Sequence, residues 1–172
     1  MILNTNNEKI LELFLKKPTT GFQIRDIIRL TKIGNPTVIR GLRLLVSKKL
    51  IVKNKGRIYP FYEANLENNF FRKLKIFYNL ICLEDVVKNI IKKTNPNCIV
   101  LFGSGAKGED TEQGDIDLFV QAERKEISFS NSERKLNRKI NFLFEPDLTK
   151  LNKELANNLV NGIVIYGFME LK

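Results

Sequence analysis

The chain has 172 residues, 43% of them hydrophobic, which suits one ordinary domain or two small ones, and no apolar run approaches the ~18–20 residues of a membrane span. It contains no histidine, which excludes Ser-His-Asp and Cys-His catalysis and histidine-based zinc sites and leaves carboxylates with Mg²⁺ as the available chemistry. The formal net charge of +10 lies entirely within residues 1–60, where thirteen Lys and Arg residues stand against three acidic ones, and this asymmetry predicts two domains, the first with a polyanionic partner.

The first third of the chain has the pattern of a helix-turn-helix. Apolar residues at helical spacing predict a first helix over 7–16 and a second that begins at Gly21. After a tight turn, Asn35 as N-cap and Pro36 at the first helical position predict a third helix over 36–48. Two short helices joined by a glycine-containing turn are typical of DNA-binding proteins.

A β-hairpin with a basic tip is predicted to follow these helices and to form the wing of a winged helix-turn-helix. Strand-like runs over 50–53 and 57–62 bracket turn residues at 54–56. The basic residues of this region would also suit a solvated surface or a protein-docking face. Because they fall on both the third helix and the wing, they favour contact with nucleic acid. The residues expected to contact double-stranded DNA are Thr37, Arg40, Arg43, Lys53, Lys55 and Arg57.

Residues 65–95 predict a helical connector. Apolar residues recur there at helical spacing, and Asn95-Pro96 ends the run. We expect one helix that is broken near Leu83, with its second part packed under the sheet of the following domain. The aromatic residues of this segment would lie in a core or in a contact between two copies of a homodimer; they are Phe70, Phe71 and Phe77.

A glycine-rich turn lies between two strand-like runs in residues 98–120. Gly103 follows a short apolar strand, and glycine allows a close approach of backbone N–H groups to an anion because it has no Cβ and tolerates positive φ. After a polar loop, Asp115 and Asp117 begin a second strand, and alternation places both carboxylates on one face. Two carboxylates this close favour a shared Mg²⁺ or Mn²⁺ ion, which also takes phosphate oxygens. The alternative interpretation of this stretch is an acidic turn with an exposed strand edge. It would explain the glycines but not why two aspartates begin an otherwise apolar strand.

Gly103-Ser104, the downstream Gly108-Glu109 and the Asp115-x-Asp117 pair resemble the signature of the DNA polymerase beta-type nucleotidyltransferase superfamily, in particular its small members. The whole chain resembles archaeal and bacterial proteins that join a winged helix to such a domain.

The resemblance implies an α+β fold with a winged helix-turn-helix at 1–64, a helical connector at 65–95 and a small nucleotidyltransferase domain with a mixed sheet at 96–172. It also implies that Asp115 and Asp117 are catalytic and hold the metal ion. The residues expected to bind the nucleotide are Gly103, Ser104, Gly105 and Lys107, the last in place of an arginine that family members often carry after the serine.

The remainder of the chain predicts a helix around 130–136, a strand over 139–145, a helix over 148–159 and a closing strand over 161–167. Active members of the superfamily usually place a third aspartate early in the strand that corresponds to 139–145. Asn141 stands at the matching position here. An amide carries no negative charge to bind a second metal or to accept a proton from a hydroxyl.

Two functions therefore stay open. In the first, the chain is a DNA-binding nucleotidyltransferase that transfers a nucleoside monophosphate from a nucleoside triphosphate to a protein or nucleic-acid hydroxyl. Small relatives include antitoxins that adenylylate a partner toxin, so a toxin is one candidate acceptor. In the second, it is a transcriptional regulator whose degenerate transferase domain senses nucleotides or forms dimers. No basic-then-apolar leader begins the sequence, and we expect a cytoplasmic protein without a membrane partner.

Overall fold

The computed structural model of the protein describes residues 5–56, 58–125, 133, 136 and 138–169. It divides the chain into two compact units, Met1–Leu74 and Lys75–Lys172. No helix within these described ranges is both long enough and apolar enough to cross a membrane.

The first unit begins with helices and continues into a β-hairpin. Its elements, in chain order, are α1 (Asn6–Lys16), α2 (Ile24–Thr31), α3 (Asn35–Ser47), β1 (Ile51–Asn54) and β2 (Phe61–Ala64). The two strands pair in antiparallel fashion. Phe22 and Tyr62 exchange backbone hydrogen bonds of 2.8 Å, which tie the segment before α2 to the hairpin.

Local side-chain chemistry sets the helix ends of this unit. Thr5 caps α1, because its hydroxyl accepts a hydrogen bond from the Glu8 N–H while the Glu8 carboxylate accepts one from the Thr5 N–H. Gly34, not Asn35, is the N-cap of α3, so the predicted cap was wrong by one residue. The second helix begins at Ile24, three residues after the predicted start at Gly21.

The hairpin differs from its prediction in the second strand. Residues 57–62 were predicted to be extended, but β2 begins only at Phe61, which pairs with Asn54. Pro60 has no N–H to donate to the ladder, so regular pairing starts after it. The connection is therefore longer than predicted, and Ile58 and Tyr59 within it are exposed.

Helix α4 (Asn69–Thr94) is continuous over 26 residues, and the boundary between the two units falls within it. The predicted break near Leu83 was wrong, because the segment contains neither Gly nor Pro and Leu83 is fully buried. Among its aromatic residues Phe71 is buried, whereas Phe70 and Phe77 are more than half exposed.

The second unit contains a mixed sheet, as predicted. Its strands are β3 (Cys98–Phe102), β4 (Ile116–Val120), β5 (Ile140–Phe144) and β6 (Ile163–Gly167), in the order β5–β4–β3–β6. β3 runs antiparallel to β4 and β6, whereas β4 and β5 are parallel. The short helix α5 (Gly103–Lys107) follows β3 directly.

Both faces of this sheet are covered by apolar packing. On one face, Leu101 and Leu118 pack with Leu83 and other residues of α4. On the other face, Val100 and Phe119 pack against Leu159. Because successive side chains of β3 and β4 point to opposite faces, these strands contribute to two hydrophobic cores.

The segment before β6 also departs from its prediction. The single helix expected over 148–159 is a 3₁₀ turn (Leu148–Lys150) followed by α6 (Lys153–Val160). The Asn152 side chain accepts a hydrogen bond of 2.8 Å from the Leu155 N–H and thereby starts a new helix. The helix expected around 130–136 falls largely outside the described residues.

Candidate functional site

The two aspartates predicted to act together converge at the beginning of β4. Asp117 lies directly opposite Asn141 in the parallel register of β4 and β5. The Asn141 Nδ2 donates hydrogen bonds to Asp115 Oδ2 (3.3 Å) and to Asp117 Oδ1 (3.1 Å). One amide therefore contacts both carboxylates, and Asn141 occupies the place that the sequence pattern assigned to a third acidic residue.

Gly103 allows the chain to turn against this carboxylate pair. Its φ is +68°, and a Cβ at this position would lie 2.7 Å from Asp117 Oδ2. Both the backbone conformation and the contact require glycine. Ser104 follows in α5 and is exposed.

The other two residues predicted to bind a nucleotide have different surroundings. Gly105 is buried, and its carbonyl accepts a hydrogen bond of 3.2 Å from Asn79 Nδ2. Lys107 is exposed in the last turn of α5. The structure thus places Gly105 in the packing of α5 and leaves Lys107 facing solvent.

The donor set fits one hard divalent cation. Mg²⁺ takes oxygen ligands and is commonly held by one or two carboxylates together with substrate phosphates and water. Asp115 and Asp117 supply two carboxylates, while Asn141 presents its NH₂ group to them. Within the described ranges, no group of three or more His, Cys, Asp or Glu side chains is placed to hold a metal ion. Two carboxylates are the donors that this ion commonly takes from a protein.

Residues 84–169, half of the chain, match the family model described as Polymerase beta, Nucleotidyltransferase. The chain belongs to the polymerase beta nucleotidyltransferase family. The superfamily prediction is thereby confirmed, and the matched range contains the glycine turn, the aspartate pair and Asn141. A search of curated proteins found no match. The matched range does not include residues 1–83, so the winged helix stays a prediction.

The nucleotidyltransferase domain also contains a buried polar network that sequence reasoning missed. Asp110, whose side chain is fully buried, accepts hydrogen bonds from both Lys75 Nζ and Arg138 Nη1 on its Oδ2. Asn79 Nδ2 donates to the other carboxylate oxygen at 2.9 Å. Lys75 Nζ donates in turn to Asn79 Oδ1 at 3.0 Å. Each oxygen of the Asp110 carboxylate is satisfied, as a buried charge requires.

Arg138 connects this network to the aspartate pair. Its Nε donates to the Gly114 carbonyl at 2.8 Å, and its Nη2 donates to the Asp115 carbonyl at 3.1 Å. The guanidinium therefore holds both the buried Asp110 carboxylate and the backbone that leads into β4.

The network contains two cations and one anion. Burial lowers the pKa of Lys75 from its ordinary value of 10.5, and the neighbouring Asp110 carboxylate partly opposes this shift. The sequence contains one sign of this network. Lys75 and Asn79 are polar, but they stand at helical spacing between Phe71 and Leu83, on the side of α4 that is buried. Both lie on α4 before the matched range.

A cleft of about 600 Å³ opens beside Asp115 in the nucleotidyltransferase domain. Its lining mixes acidic and basic side chains with residues of the loop before β4. They are Glu112, Gln113, Gly114, Asp115, Glu133, Arg138 and Lys139. Asp115 therefore borders a space large enough for part of a substrate.

The residues predicted to contact DNA lie in the first unit. Arg40 and Arg43 are exposed on α3, on the face opposite its buried apolar residues, and Thr37 is half-buried. Thr37 and Arg40 line a depression of about 280 Å³ with the first residues of α1. Lys53 and Lys55 are exposed on the hairpin. Arg57 lies outside the described residues.

We expect Asp110→Asn to destabilise the domain far more than Lys75→Met. The first variant leaves two buried cations without their counter-charge, at a cost of about 3–5 kcal/mol. The second leaves Asp110 paired with Arg138 and removes a buried ammonium, at a cost of about 1–2 kcal/mol. Urea denaturation followed by circular dichroism measures both free energies of unfolding.

The pH dependence adds a second measurement on the same variants. Because the pKa of Lys75 is lower in the folded state, the unfolded chain binds more protons between that value and 10.5, and the free energy of unfolding rises with pH there. Lys75→Met should remove this rise. Equal destabilisation by both variants, with an unchanged pH profile, would contradict the proposed charge balance.

Proposed function

We propose that the nucleotidyltransferase domain binds a nucleoside triphosphate together with one divalent cation and transfers its nucleoside monophosphate to a hydroxyl of a protein or a nucleic acid. The convergence of Asp115 and Asp117 on one amide, with the Gly103 backbone in contact with Asp117, carries this proposal. The family match supports a nucleotide as the substrate.

Each residue of the site has a role in this proposal. Asp115 and Asp117 hold the cation, which would be Mg²⁺ or Mn²⁺ and would neutralise charge on the phosphates when bound. Gly103 and Ser104 bind the phosphates, and exposed Lys107 adds a positive charge for them. The hydroxyl oxygen bonds to the α-phosphorus and its proton passes to solvent water, while the bond from that phosphorus to the bridging oxygen breaks and pyrophosphate leaves.

Asn141 supports a second candidate function, in which the domain binds nucleotides without transferring them. Its NH₂ group donates to both carboxylates, whereas a third aspartate would be able to accept the proton of the attacking hydroxyl. The protein would then be a regulator that responds to nucleotides or uses this domain to form dimers. The two functions share the binding step and differ in turnover.

The first unit binds double-stranded DNA in either case. Its excess of basic residues, and the exposure of Arg40, Arg43, Lys53 and Lys55 on α3 and the hairpin, support this proposal. Arginines on a helix can contact base edges, and lysines on a hairpin can contact phosphates.

We expect Asp117→Asn to weaken Mg²⁺-dependent nucleotide binding at least tenfold, because it removes one of two charged ligands without changing the size of the side chain. Titration calorimetry of ATP, CTP and GTP, each with and without Mg²⁺, measures this effect. Glu123→Gln is the matched control, since it removes the same charge from an exposed position after β4. Identical affinities for wild type and Asp117→Asn would refute the proposed metal site.

Asn141→Asp decides between transfer and sensing. If the domain is an active transferase, the wild type forms a Mg²⁺-dependent labelled product from nucleoside triphosphate and an acceptor, and the variant forms it faster because a carboxylate now accepts the proton. If the domain is a sensor, the wild type forms no product although it binds nucleotide. Gel electrophoresis of reactions with candidate protein and nucleic-acid acceptors distinguishes these outcomes.

Arg40→Ala combined with Arg43→Ala should weaken DNA binding at least tenfold and lower the preference for one duplex over another, because arginines on a helix contact base edges. Fluorescence anisotropy with the duplex upstream of its own coding sequence, and with a random duplex, measures both quantities. The control is Lys92→Ala with Lys93→Ala, which removes the same charge from exposed positions at the end of α4. If both double variants lose the same affinity for DNA, net charge alone explains the loss and the proposed role of Arg40 and Arg43 is wrong.

A further inference from the structure

We propose that Arg138 is a positioning residue of the nucleotide site, which fixes the backbone before β4 so that the Asp115 and Asp117 carboxylates stay side by side. This role rests on the proposed function, because the pair that Arg138 positions is the proposed cation site. Arg138 itself contacts neither carboxylate of the pair in the hydrogen bonds described above, so it acts through the main chain.

The contacts of Arg138 converge on the loop that carries Asp115. Two of its nitrogens donate to consecutive carbonyls, those of Gly114 and Asp115, at 2.8 and 3.1 Å. The next residue, Ile116, donates its N–H to the Lys139 carbonyl at 3.0 Å, which begins the pairing of β4 with the β5 segment. Arg138 and Lys139 together therefore set the position at which β4 starts.

Arginine suits this task better than lysine. The guanidinium is planar and presents its N–H groups in a fixed fork, so one side chain can reach two carbonyls and a carboxylate at once. A lysine ammonium would keep the positive charge beside Asp110 but would have one nitrogen for all these acceptors. The number of separate contacts, rather than the charge alone, identifies the positioning role.

The buried network gives Arg138 a rigid support. The Arg138 side chain is only 8% exposed, and its third contact is the fully buried Asp110 carboxylate. Asp110 is held from behind by Lys75 and Asn79, which both project from α4. The start of β4 is thereby connected through a chain of hydrogen bonds to the part of α4 that belongs to the same unit.

The charges of the network also favour the aspartate pair. Lys75 and Arg138 carry two positive charges against one negative charge on Asp110, so the network has a surplus of one positive charge. Opposite charge nearby reduces the repulsion between Asp115 and Asp117 when no cation is bound. The network therefore acts on the pair through both backbone position and electrostatics.

Arg138→Lys tests the positioning role, because it keeps the charge and loses the fork. The matched control is Arg124→Lys, which makes the same substitution at an exposed arginine after β4. Two quantities are measured on the full chain: the affinity for ATP with Mn²⁺ by calorimetry, and the amide hydrogen exchange of β4 by nuclear magnetic resonance in metal-free protein.

We expect Arg138→Lys to weaken the affinity about tenfold or more, the range found when partners that orient metal ligands are removed. Exchange at Ile116 should become faster, while exchange at Phe119 in the buried middle of the strand should match wild type. Arg124→Lys should leave both exchange rates unchanged. If Arg138→Lys does not fold, Arg138→Gln, which keeps a planar donor, replaces it in the same comparison.

An affinity within twofold of wild type, together with unchanged exchange at Ile116, would overturn the positioning role. Should wild type show no affinity for the nucleotide, the proposed function fails on that result alone. The exchange comparison needs no ligand, so it still decides whether Arg138 fixes the start of β4.

Discussion

The mutual repulsion of two neighbouring carboxylates is the constraint around which this domain is arranged. Asp115 and Asp117 lie close enough to share one amide group of Asn141. Two negative charges this close repel each other unless hydrogen-bond donors or cations compensate for them. The structure supplies an amide donor from β5 and an arginine at the backbone before β4. Cation binding would complete this compensation.

Much of the fold could be predicted because strand alternation is a local property. The runs that became β3 and β4 are apolar in patterns that match their burial, and the mixed sheet followed from the family resemblance. The errors concern where helices and strands begin and end, which depends on the presence or absence of a single breaking residue. Pro60 delays β2 although the residues before it favour a strand, and α4 continues through Leu83 because nothing in its sequence breaks a helix.

The candidate site could be predicted in part for the same reason. The spacing of Asp115 and Asp117 places them on one face of a strand, and the family resemblance matched Asn141 to the position of a third aspartate beside them. The link from Asp110 to Arg138 could not be predicted, because it joins residues 28 positions apart and depends on tertiary packing. Within the described residues, the sequence sign of this network was the pair Lys75 and Asn79, two polar residues on the buried side of α4.

The close contact between Gly103 and Asp117 restricts how this sequence can diverge. Asparagine tolerates positive φ better than most residues, yet its Cβ would still collide with the Asp117 carboxylate at 2.7 Å. A shorter side chain at position 117 would remove this collision, but the positive φ of position 103 would still strain any residue that carries a Cβ. The loss of the acidic group alone therefore does not open position 103 to other residues.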